Sequence, residues 1–328
     1  MNCLVTGAAG FIGSNFIDFL SKCSVNITAI DGLLETTYPK SIKLKRWNIL
    51  KYTYPEISFV DFDLRNNLEA LLQINKFDFI FNFAALPGLQ LSWDKFELYN
   101  NCNVLAVNNL CKAIVTSSIN TKLIHMSTSS VYGKNATGSE DDNLEPFSPY
   151  GVTKLAAENL ISAFASNYNL KFKIIRLFSV YGPRQRSDMA LQIFCRSFIE
   201  NKPIIVYGDG SQSRSPTFVK DCSEGIYRIA INSIDNEIYN LSGNETLTTL
   251  DAIGILEELF KKRVEIIFKP TRAGDQIMTR GNCAKLLKAV NYAPDTTFYS
   301  GIQQQINWNK SAEFMQTHRE DNTQFFTR

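Results

Sequence analysis

Three glycines near the start of the chain constrain its fold more than any other feature. Residues 2 to 6 form a short apolar run, Gly7, Gly10 and Gly13 follow it, and residues 15 to 20 have a helix-like pattern. Glycines at this spacing let a strand turn tightly into a helix and let the backbone approach a pyrophosphate, which the N–H groups of the helix start can bind. A glycine turn without a ligand is the alternative. The pattern favours a dinucleotide-binding strand, turn and helix.

The second apolar run, residues 25 to 30, ends at an acidic residue. This residue is Asp31, 18 positions beyond Gly13. A carboxylate at this place accepts hydrogen bonds from the adenosine ribose hydroxyls and repels a 2′-phosphate. The sequence therefore favours NAD over NADP as the cofactor.

Strand-like and helix-like runs alternate through the first half of the chain. The strands are predicted at residues 2 to 6, 26 to 30, 57 to 60, 77 to 83, 121 to 126 and 172 to 177, and the helices near 11 to 22, 41 to 51, 65 to 73, 94 to 117 and 149 to 169. Nearly continuous apolar strands that alternate with helices are typical of a parallel sheet covered on both faces. After residue 178 the elements become shorter. We therefore predict an α/β fold with a doubly wound, Rossmann-like parallel sheet and a smaller C-terminal α/β lobe.

Tyr150 and Lys154 lie four residues apart where a helix is predicted to begin, with Ser148 as its cap and Pro149 in its first position. Side chains at this spacing share a helix face, so the ammonium can lie beside the phenol. A free phenol is only about 0.1% ionised at neutral pH, and half ionisation requires roughly 4 kcal/mol of phenolate stabilisation. A nearby cation supplies stabilisation of this kind. The phenolate would then be a general base at a carbinol that loses hydride.

The glycine spacing and the later Tyr-x-x-x-Lys resemble the extended branch of the short-chain dehydrogenase/reductase family, whose members act on nucleotide sugars. Residues 82 to 85 are similar to its HxAA segment, with Asn82 in place of the usual His, and residues 126 to 133 to its SSxxVYG strand end. The resemblance implies that Tyr150, Lys154 and Thr128 are catalytic. The NAD contacts that it implies are Gly7, Gly10, Phe11, Ile12, Gly13, Asp31, Lys43, Asp63, Leu64, Phe83, Ala84, Ala85, Asn103, Ser127, Tyr150, Lys154 and Phe178.

Residues 176 to 190 resemble the RFFTVYGPxxRPDMA segment of UDP-glucuronate 4-epimerases. Enzymes for neutral hexoses usually carry Asn at the place of Ser179, whereas a hydroxyl and the Arg186 guanidinium suit a carboxylate. A solvated surface arginine is the alternative for Arg186. The resemblance implies that Tyr207 stacks on uracil. The implied substrate contacts are Ser127, Thr128, Ser129, Tyr150, Ser179, Arg186, Met189 and Tyr207. The resemblance also implies that Arg214 and Arg272 hold the diphosphate and that Asp275 binds a ribose hydroxyl.

Two further features bear on the reaction and on the substrate site. Related 4,6-dehydratases carry an Asp-Glu pair and decarboxylases a Glu where this chain has Ser129 and Ser130. Without an acid to protonate a leaving hydroxyl, elimination is disfavoured. Pro216 follows the Arg214 segment, and a proline inside a sheet is confined to a strand start, an edge or a bulge. The details of the diphosphate site are open for that reason.

The composition agrees with a soluble cytoplasmic enzyme. The net charge of +2 gives no reason to expect nucleic acid or a membrane surface as a partner, and we find neither a signal peptide nor a transmembrane span. Seven cysteines without C-x-x-C spacing are interpreted as reduced. His125 lies in an apolar strand and is interpreted as a core or strand-end residue, so no metal site is predicted. The tail from residue 316 to residue 328 is expected to be loosely ordered.

The sequence as a whole predicts an NAD-dependent UDP-sugar 4-epimerase that acts on UDP-glucuronate and UDP-galacturonate, serves polysaccharide biosynthesis and is a homodimer. The implied NAD domain is residues 1 to 178, with strands near 217 and 238 crossing back to it, and the UDP-sugar lobe is residues 179 to 328. The implied dimer contact uses the helices near 94 to 117 and 149 to 169. The alternatives are a UDP-hexose or UDP-N-acetylhexosamine 4-epimerase, a UDP-glucuronate decarboxylase and a non-catalytic NAD-binding scaffold.

Overall fold

The computed structural model describes residues 1–37, 39–117 and 120–318. Its strands are β1 (Asn2–Thr6), β2 (Asn26–Asp31), β3 (Ser58–Asp61), β4 (Phe79–Asn82), β5 (Lys122–Thr128), β6 (Asn135–Ala136), β7 (Lys171–Leu177), β8 (Val180–Tyr181), β9 (Ile204–Tyr207), β10 (Ser213–Arg214), β11 (Thr217–Phe218), β12 (Glu237–Leu241), β13 (Leu247–Thr248), β14 (Ile266–Lys269) and β15 (Met278–Thr279).

The helices are α1 (Phe11–Leu20), α2 (Lys40–Thr53), α3 (Glu69–Ile74), α4 (Leu91–Asp94), α5 (Phe96–Asn100), α6 (Ala106–Thr116), α7 (Pro149–Tyr168), α8 (Ala190–Glu200), α9 (Val219–Asn232), α10 (Thr249–Phe260), α11 (Ala284–Val290), α12 (Phe298–Asn309) and α13 (Ala312–His318). A π-helical turn (Asn101–Leu105) joins α5 to α6, and a 3-10 turn (Ser129–Tyr132) follows β5. The helix predicted over residues 94 to 117 is thus divided. Of the tail expected to be loose, residues 316–318 belong to α13, and residues 319–328 lie outside the described part.

A parallel sheet of seven strands, in the order β12-β7-β5-β4-β1-β2-β3, forms the centre of the molecule. Consecutive side chains of β1 enter different cores, because Cys3 and Val5 pack in one apolar cluster and Leu4 packs in another. Helices therefore cover both faces, as nearly continuous apolar strands require. The predicted doubly wound Rossmann-like fold is confirmed.

The smaller lobe is built from a four-stranded sheet (β13-β10-β15-β6) and the pair β14-β9. The strand predicted near residue 238 is β12, which joins the large sheet beside β7. The strand predicted near residue 217 does not join it, because β11 is two residues long and pairs with β8 beyond a bend at Ser179. Pro216 lies between the strands β10 and β11, which belong to different sheets. The residue before it donates from Ser215 N to Thr279 O, and the residue after it donates from Thr217 N to Ser179 O. Its missing N–H therefore breaks neither ladder.

Helix α7 carries the Tyr150 and Lys154 pair and begins as the sequence predicts. The Ser148 hydroxyl accepts a hydrogen bond from Gly151 N at 3.1 Å, and Pro149 occupies the first turn. The helix ends at Asn169, which adopts the left-handed conformation with φ 57°. Among residues 1–37, 39–117 and 120–318, no helix is long and apolar enough to span a membrane.

Candidate active site

A pocket opens at the carboxyl ends of the large sheet, where chain connections leave β1 and β4 in opposite directions. This is the place where open α/β sheets bind ligands. Most of the site residues predicted from the sequence line it: Gly7, Gly10, Phe11, Ile12, Gly13, Asp31, Lys43, Asp63, Leu64, Phe83, Ala84, Ala85, Ser127, Thr128, Tyr150, Lys154, Ser179, Arg186 and Met189.

The glycine turn leaves no room for side chains. A Cβ atom at Gly13 would lie 2.3 Å from the Gly7 carbonyl oxygen, and one at Gly7 would lie 2.7 Å from Ala84 N. Gly7 also has φ 66°, a conformation that favours glycine. The turn brings the backbone and the start of α1 to the pocket wall, so these residues fit the pyrophosphate of a dinucleotide.

Two buried groups fix the turn and the adenosine end of the pocket. Asp31 accepts hydrogen bonds from Ala9 N at 3.0 Å and from Leu33 N at 2.8 Å, which fixes its carboxylate at the end of β2. Arg46 on α2 donates to Ala9 O at 3.1 Å and to Arg184 O at 3.1 Å. The sequence interpretation missed Arg46, because its role depends on two carbonyl groups far away in the chain.

Three predicted ligand contacts near the large sheet are not part of the pocket lining. Asn103 is fully buried and brackets the loop after β4, accepting from Leu86 N at 2.7 Å and donating to Leu86 O at 3.1 Å. Phe178 packs in a small core with Val131. Ser129 is buried in the 3-10 turn. The three residues support the pocket wall, and their contacts with NAD or the substrate stay predictions.

The pocket contains Tyr150, with the Thr128 hydroxyl near its phenol and the ring of Tyr99 edge-on at 6.2 Å. Burial raises the pKa of Tyr150, while the Thr128 hydrogen bond and the Arg186 charge act in the opposite direction. The phenol is therefore protonated at neutral pH in the ligand-free site.

The Lys154 ammonium is not the group that lowers the pKa of Tyr150, in contrast to the sequence expectation. Lys154 Nζ points to the sheet, 2.7 Å from Met126 O and 3.2 Å from His125 Nε2. Burial lowers the pKa of Lys154 to about 8, although Glu158 opposes that shift. The shared helix face does bring both side chains into the pocket lining. The buried strand end then determines where the amine points.

A buried ion pair lies behind the pocket and orients Ser127. Glu158 on α7 binds Arg176 on β7, with Oε2 at 2.8 Å from Nη2. Ser127 donates a short hydrogen bond to Glu158 Oε1, so its oxygen can only accept hydrogen bonds from a ligand. Arg176 also donates to the Tyr132 hydroxyl at 2.8 Å. The sequence interpretation did not identify Glu158 or Arg176 as supporting residues.

Arg186 lies in the pocket beside Tyr150 rather than on an open surface. Its guanidinium makes a two-point ion pair with Asp188, at 2.9 and 3.0 Å. Ser179 adopts φ 25°, a conformation that costs a non-glycine residue about 1–3 kcal/mol. Both residues line the pocket together with Met189. A cation and a hydroxyl therefore lie on the side of the pocket where the proton-transfer group is.

The remaining predicted substrate residues form a second cluster in the smaller lobe. The Arg272 guanidinium lies 4.0 Å above the Tyr207 ring, and Arg272 Nε lies 2.9 Å from Asp275 Oδ2. Arg214 donates to Gln276 O at 2.6 Å. Gln90, on the loop that leaves the pocket, donates to Asp275 at 3.3 Å and thereby links this cluster to the pocket. Among the described residues, no group of His, Cys, Asp and Glu side chains has the arrangement of a metal site.

The chain is similar to proteins of one family. Residues 3–242 match the model of the NAD dependent epimerase/dehydratase family. A Bacillus subtilis (strain 168) protein named uncharacterized UDP-glucose epimerase YtcB is 36% identical over 93% of this chain and 97% of its own length. The UDP-glucuronate 4-epimerase of Thermodesulfobacterium geofontis is 31% identical over 94% of this chain and 95% of its own. Coverage of this extent includes both lobes.

Among solved structures, the UDP-glucuronic acid 4-epimerase from Bacillus cereus, in complex with UDP-glucuronic acid and NAD, superposes with a TM-score of 0.89. It is 35% identical, over 94% of this chain and 99% of that chain. The fold and the pocket thus define a nucleotide-binding α/β enzyme of the extended short-chain dehydrogenase/reductase type. This chain belongs to the NAD dependent epimerase/dehydratase family, and the resemblance stated from the sequence is confirmed.

Proposed function

We propose that the chain is an NAD-dependent UDP-glucuronate 4-epimerase, which interconverts UDP-glucuronate and UDP-galacturonate. The observation that carries the proposal is the position of Arg186 in the pocket, close enough to Tyr150 to influence its titration. A guanidinium at this place can hold a sugar carboxylate while the neighbouring phenol acts on the adjacent hydroxyl. The relatives from Thermodesulfobacterium geofontis and Bacillus cereus support this choice of substrate.

The residues of this chain supply binding and proton transfer. The glycine turn and Asp31 would hold NAD. When bound, NAD would supply an acceptor for the hydride of the sugar C4 and a donor for its return. Tyr150 takes the proton of the C4 hydroxyl as general base and returns it later as general acid. Thr128, whose hydroxyl favours the phenolate, would relay the proton. Because the hydride returns to the sugar, no net oxidation occurs and the cofactor remains bound.

The uronic acid makes one extra demand on the site. A 4-keto uronic acid is a β-keto acid and loses CO₂ when its carboxylate aligns with the carbonyl π system. Arg186 and Ser179, together with the edge formed by residues 127 to 129, would hold the carboxylate out of that alignment. Ser127 cannot donate to this carboxylate, because its proton is committed to Glu158, but its oxygen can accept a hydrogen bond from a sugar hydroxyl.

A UDP-glucose 4-epimerase is the second candidate. The printed name of the Bacillus subtilis relative supports it, and so does the ion pair of Arg186 with Asp188, because that carboxylate already balances the guanidinium charge. In this reading Arg186 would orient the sugar hydroxyls and would not select an acid. The two candidates share Tyr150, Thr128 and the cofactor and differ only in the C5 substituent.

The purified protein, with NAD and each of UDP-glucuronate, UDP-glucose and UDP-N-acetylglucosamine, tests the proposal directly. Proton NMR of the products at equilibrium distinguishes 4-epimers from pentoses and from unchanged sugar. We expect UDP-galacturonate from UDP-glucuronate and at least tenfold lower kcat/KM with the neutral sugars. Faster conversion of UDP-glucose would establish the second candidate, and release of UDP-pentose as the main product would establish a decarboxylase.

We also propose that the enzyme is a cytoplasmic homodimer. Apolar side chains are exposed on neighbouring helical elements: Trp93 (52% exposed) on α4, Phe96 (47%) on α5, Leu105 (42%) in the π turn and Val152 (46%) on α7. Burial of such side chains against a second copy would stabilise a two-fold contact. Light scattering of the parent and of the Val152→Asp variant tests this. We expect a dimer and a monomer, respectively, and a monomeric parent at micromolar concentration would contradict the proposal.

A further inference from the structure

A sharp turn of residues 182–185, the Arg184 turn, follows β8. Gln185 N donates a hydrogen bond to Gly182 O at 3.1 Å, and Pro183 and Arg184 lie between them. Arg184 has φ 66°. A turn with proline in its second position and a positive φ in its third is of type II, and its third residue is usually glycine or asparagine. An arginine is costly there, and such residues persist only where their surroundings fix them.

The Arg184 side chain is buried between two helices and binds both of them. It donates from Nη1 to Ser14 O at 3.2 Å and to Asp18 Oδ2 at 2.6 Å, and both of these residues belong to α1. It donates from Nε to Glu313 Oε1 on α13 at 2.6 Å. The residue is only 9% exposed. One guanidinium thus joins the helix that follows the glycine turn to the last helix that the structure describes.

The backbone of the Arg184 turn is also tied to the cofactor end of the pocket. Asn15 on α1 donates from Nδ2 to Pro183 O at 3.0 Å. Arg46 on α2 donates to Arg184 O and to Ala9 O, both at 3.1 Å, and so joins the turn to the glycine turn. These backbone bonds, together with the buried guanidinium, explain how an arginine keeps a conformation that favours glycine.

Helix α13 is docked on the rest of the chain and can therefore carry the contact with Arg184. Phe314 and His318 are buried, with their rings stacked at 4.2 Å, and Trp308 lies edge-on to Phe314 at 5.1 Å. Burial lowers the pKa of His318 to about 4, so the ring is neutral at physiological pH and suits this apolar stack. Glu313 differs from these residues, because 27% of its side chain is exposed.

The Arg184 turn leads directly to the sugar side of the pocket. Arg186, two residues beyond Arg184, lines the pocket that also contains Tyr150. The start of α1 is the place that fits the pyrophosphate of NAD. We propose that Arg184 is a positioning residue that holds α1, the segment with Arg186 and helix α13 in one arrangement, and thereby couples the binding of NAD to the binding of the sugar nucleotide.

This inference rests on the proposed function, because it takes Arg186 as the group that meets the sugar. NAD that binds at the start of α1 restricts that helix, and Arg184 transmits the restriction to the segment with Arg186. The sugar nucleotide then binds a site that is already arranged and loses less conformational entropy. Coupling between two sites is reciprocal, so the sugar nucleotide should tighten NAD by the same factor. Couplings of this kind are typically about 5–150-fold.

Calorimetry on a Tyr150→Phe background, which prevents turnover, measures this coupling. The Kd of UDP-glucuronate without NAD, divided by the Kd with saturating NAD, is the coupling factor. We expect a factor of at least about five when Arg184 is present. Arg184→Asn removes the guanidinium and keeps a residue that tolerates the turn. We expect this substitution to bring the factor close to one and to weaken binding of NAD alone by at least about threefold.

A purely structural role of Arg184 predicts a different result. Arg184→Asn would then lower the urea midpoint and leave the coupling factor as it is. A coupling factor that does not change, or a factor near one while Arg184 is present, would overturn the proposal.

Glu313→Ala tests the part of α13 and provides a second variant if Arg184→Asn does not fold. We expect a smaller fall in the coupling factor. The double variant should match Arg184→Asn alone, because Glu313 acts through Arg184. Glu224→Ala, which breaks an exposed ion pair with Arg228 on α9, is the matched control and should keep the factor. An unchanged factor in Glu313→Ala, or losses that multiply in the double variant, would overturn the role of α13.

The choice of ligand separates failure of this inference from failure of the proposed function. If UDP-glucose binds and UDP-glucuronate does not, the choice of sugar fails, and the coupling factor with UDP-glucose decides the role of Arg184. If neither sugar nucleotide binds, the proposed function fails as a whole. The affinity for NAD alone then decides, because an Arg184→Asn protein that binds NAD as tightly as the parent would refute the positioning role.

Discussion

Arg186→Ala is the substitution that best separates the uronic-acid reaction from the neutral-sugar reactions. If the guanidinium holds the C5 carboxylate through a charge-assisted hydrogen bond, its loss costs about 1.5–3 kcal/mol, or roughly 10–150-fold in kcat/KM for UDP-glucuronate. The structure adds a second effect. Arg186 opposes the rise in the pKa of Tyr150, so its loss raises that pKa further and slows every substrate at neutral pH.

The ratio of kcat/KM for UDP-glucuronate to that for UDP-glucose isolates the first effect, because the change at Tyr150 is common to both sugars. We expect Arg186→Ala to lower this ratio by about 10–150-fold at pH 7 and at pH 9. The neutral-sugar rate should recover in part at pH 9, where more of the phenol is ionised. The residual reaction should release more UDP-pentose, since a carboxylate without its partner can rotate into alignment with the ketone.

Asp188→Asn is the matched control. It removes the carboxylate that pairs with the same guanidinium and leaves Arg186 in place. We expect the glucuronate-to-glucose ratio to rise, because the Asp188 carboxylate then no longer competes with the substrate carboxylate for the guanidinium. If Arg186→Ala depressed both sugars equally at both pH values, Arg186 would be a structural residue or a regulator of Tyr150. The choice of glucuronate would then lose its main support.

Three further substitutions test the remaining parts of the site. Tyr150→Phe should keep the fold and the bound NAD but lose at least about 10²-fold in kcat, and near-normal turnover would refute its role as the general base. Gly13→Ala would bring a methyl group 2.3 Å from a backbone oxygen of the glycine turn, so we expect calorimetry to show much weaker NAD binding. Gly254→Ala on α10 is the control, because no atom lies within 4 Å of the added carbon. This variant should bind NAD normally and be stabilised by about 1 kcal/mol. Glu158→Gln removes the charge that neutralises buried Arg176, so urea denaturation should show a loss of several kcal/mol, and a change below about 1 kcal/mol would contradict the importance of this pair.

The parallel sheet could be predicted because its information is local. Strands buried on both faces, such as β1 with four consecutive buried residues, produce apolar runs that a sequence displays directly. The start of α7 could also be predicted, because the preference of Ser148 for the helix cap and of Pro149 for the first helical position depends only on residues within one turn. The two-residue strand β11 was assigned to the wrong sheet, because its pairing depends on the bend at Ser179.

The orientation of side chains was less predictable than their position in a motif. Asn103 and Phe178 occupy family positions, yet one binds the Leu86 backbone and the other packs in a core. A sequence motif gives the identity of the residue at a position, but it does not show which buried group that residue hydrogen-bonds in the folded protein. Lys154 illustrates this, because the Met126 carbonyl at a buried strand end attracts its amine. His125 likewise contacts Lys154, 29 positions away in the chain, and this contact could not be predicted from the strand that contains His125.

The position of β12 limits how this enzyme could be recombined with its relatives. After β7 the chain leaves the large sheet and forms strands β9 and β10 of the smaller lobe. It then returns to the large sheet, where residues 237–241 form the edge strand β12. The last strands of the smaller lobe, β13, β14 and β15, follow β12. A fragment that stopped at residue 178 would leave the backbone N–H and C=O groups of β7 without the β12 partner, and such an unpaired edge is a template for aggregation. Sugar specificity therefore cannot be transplanted with a single crossover. A chimera would need to keep β7 and β12 from one parent, and the two lobes have to evolve and fold as one unit.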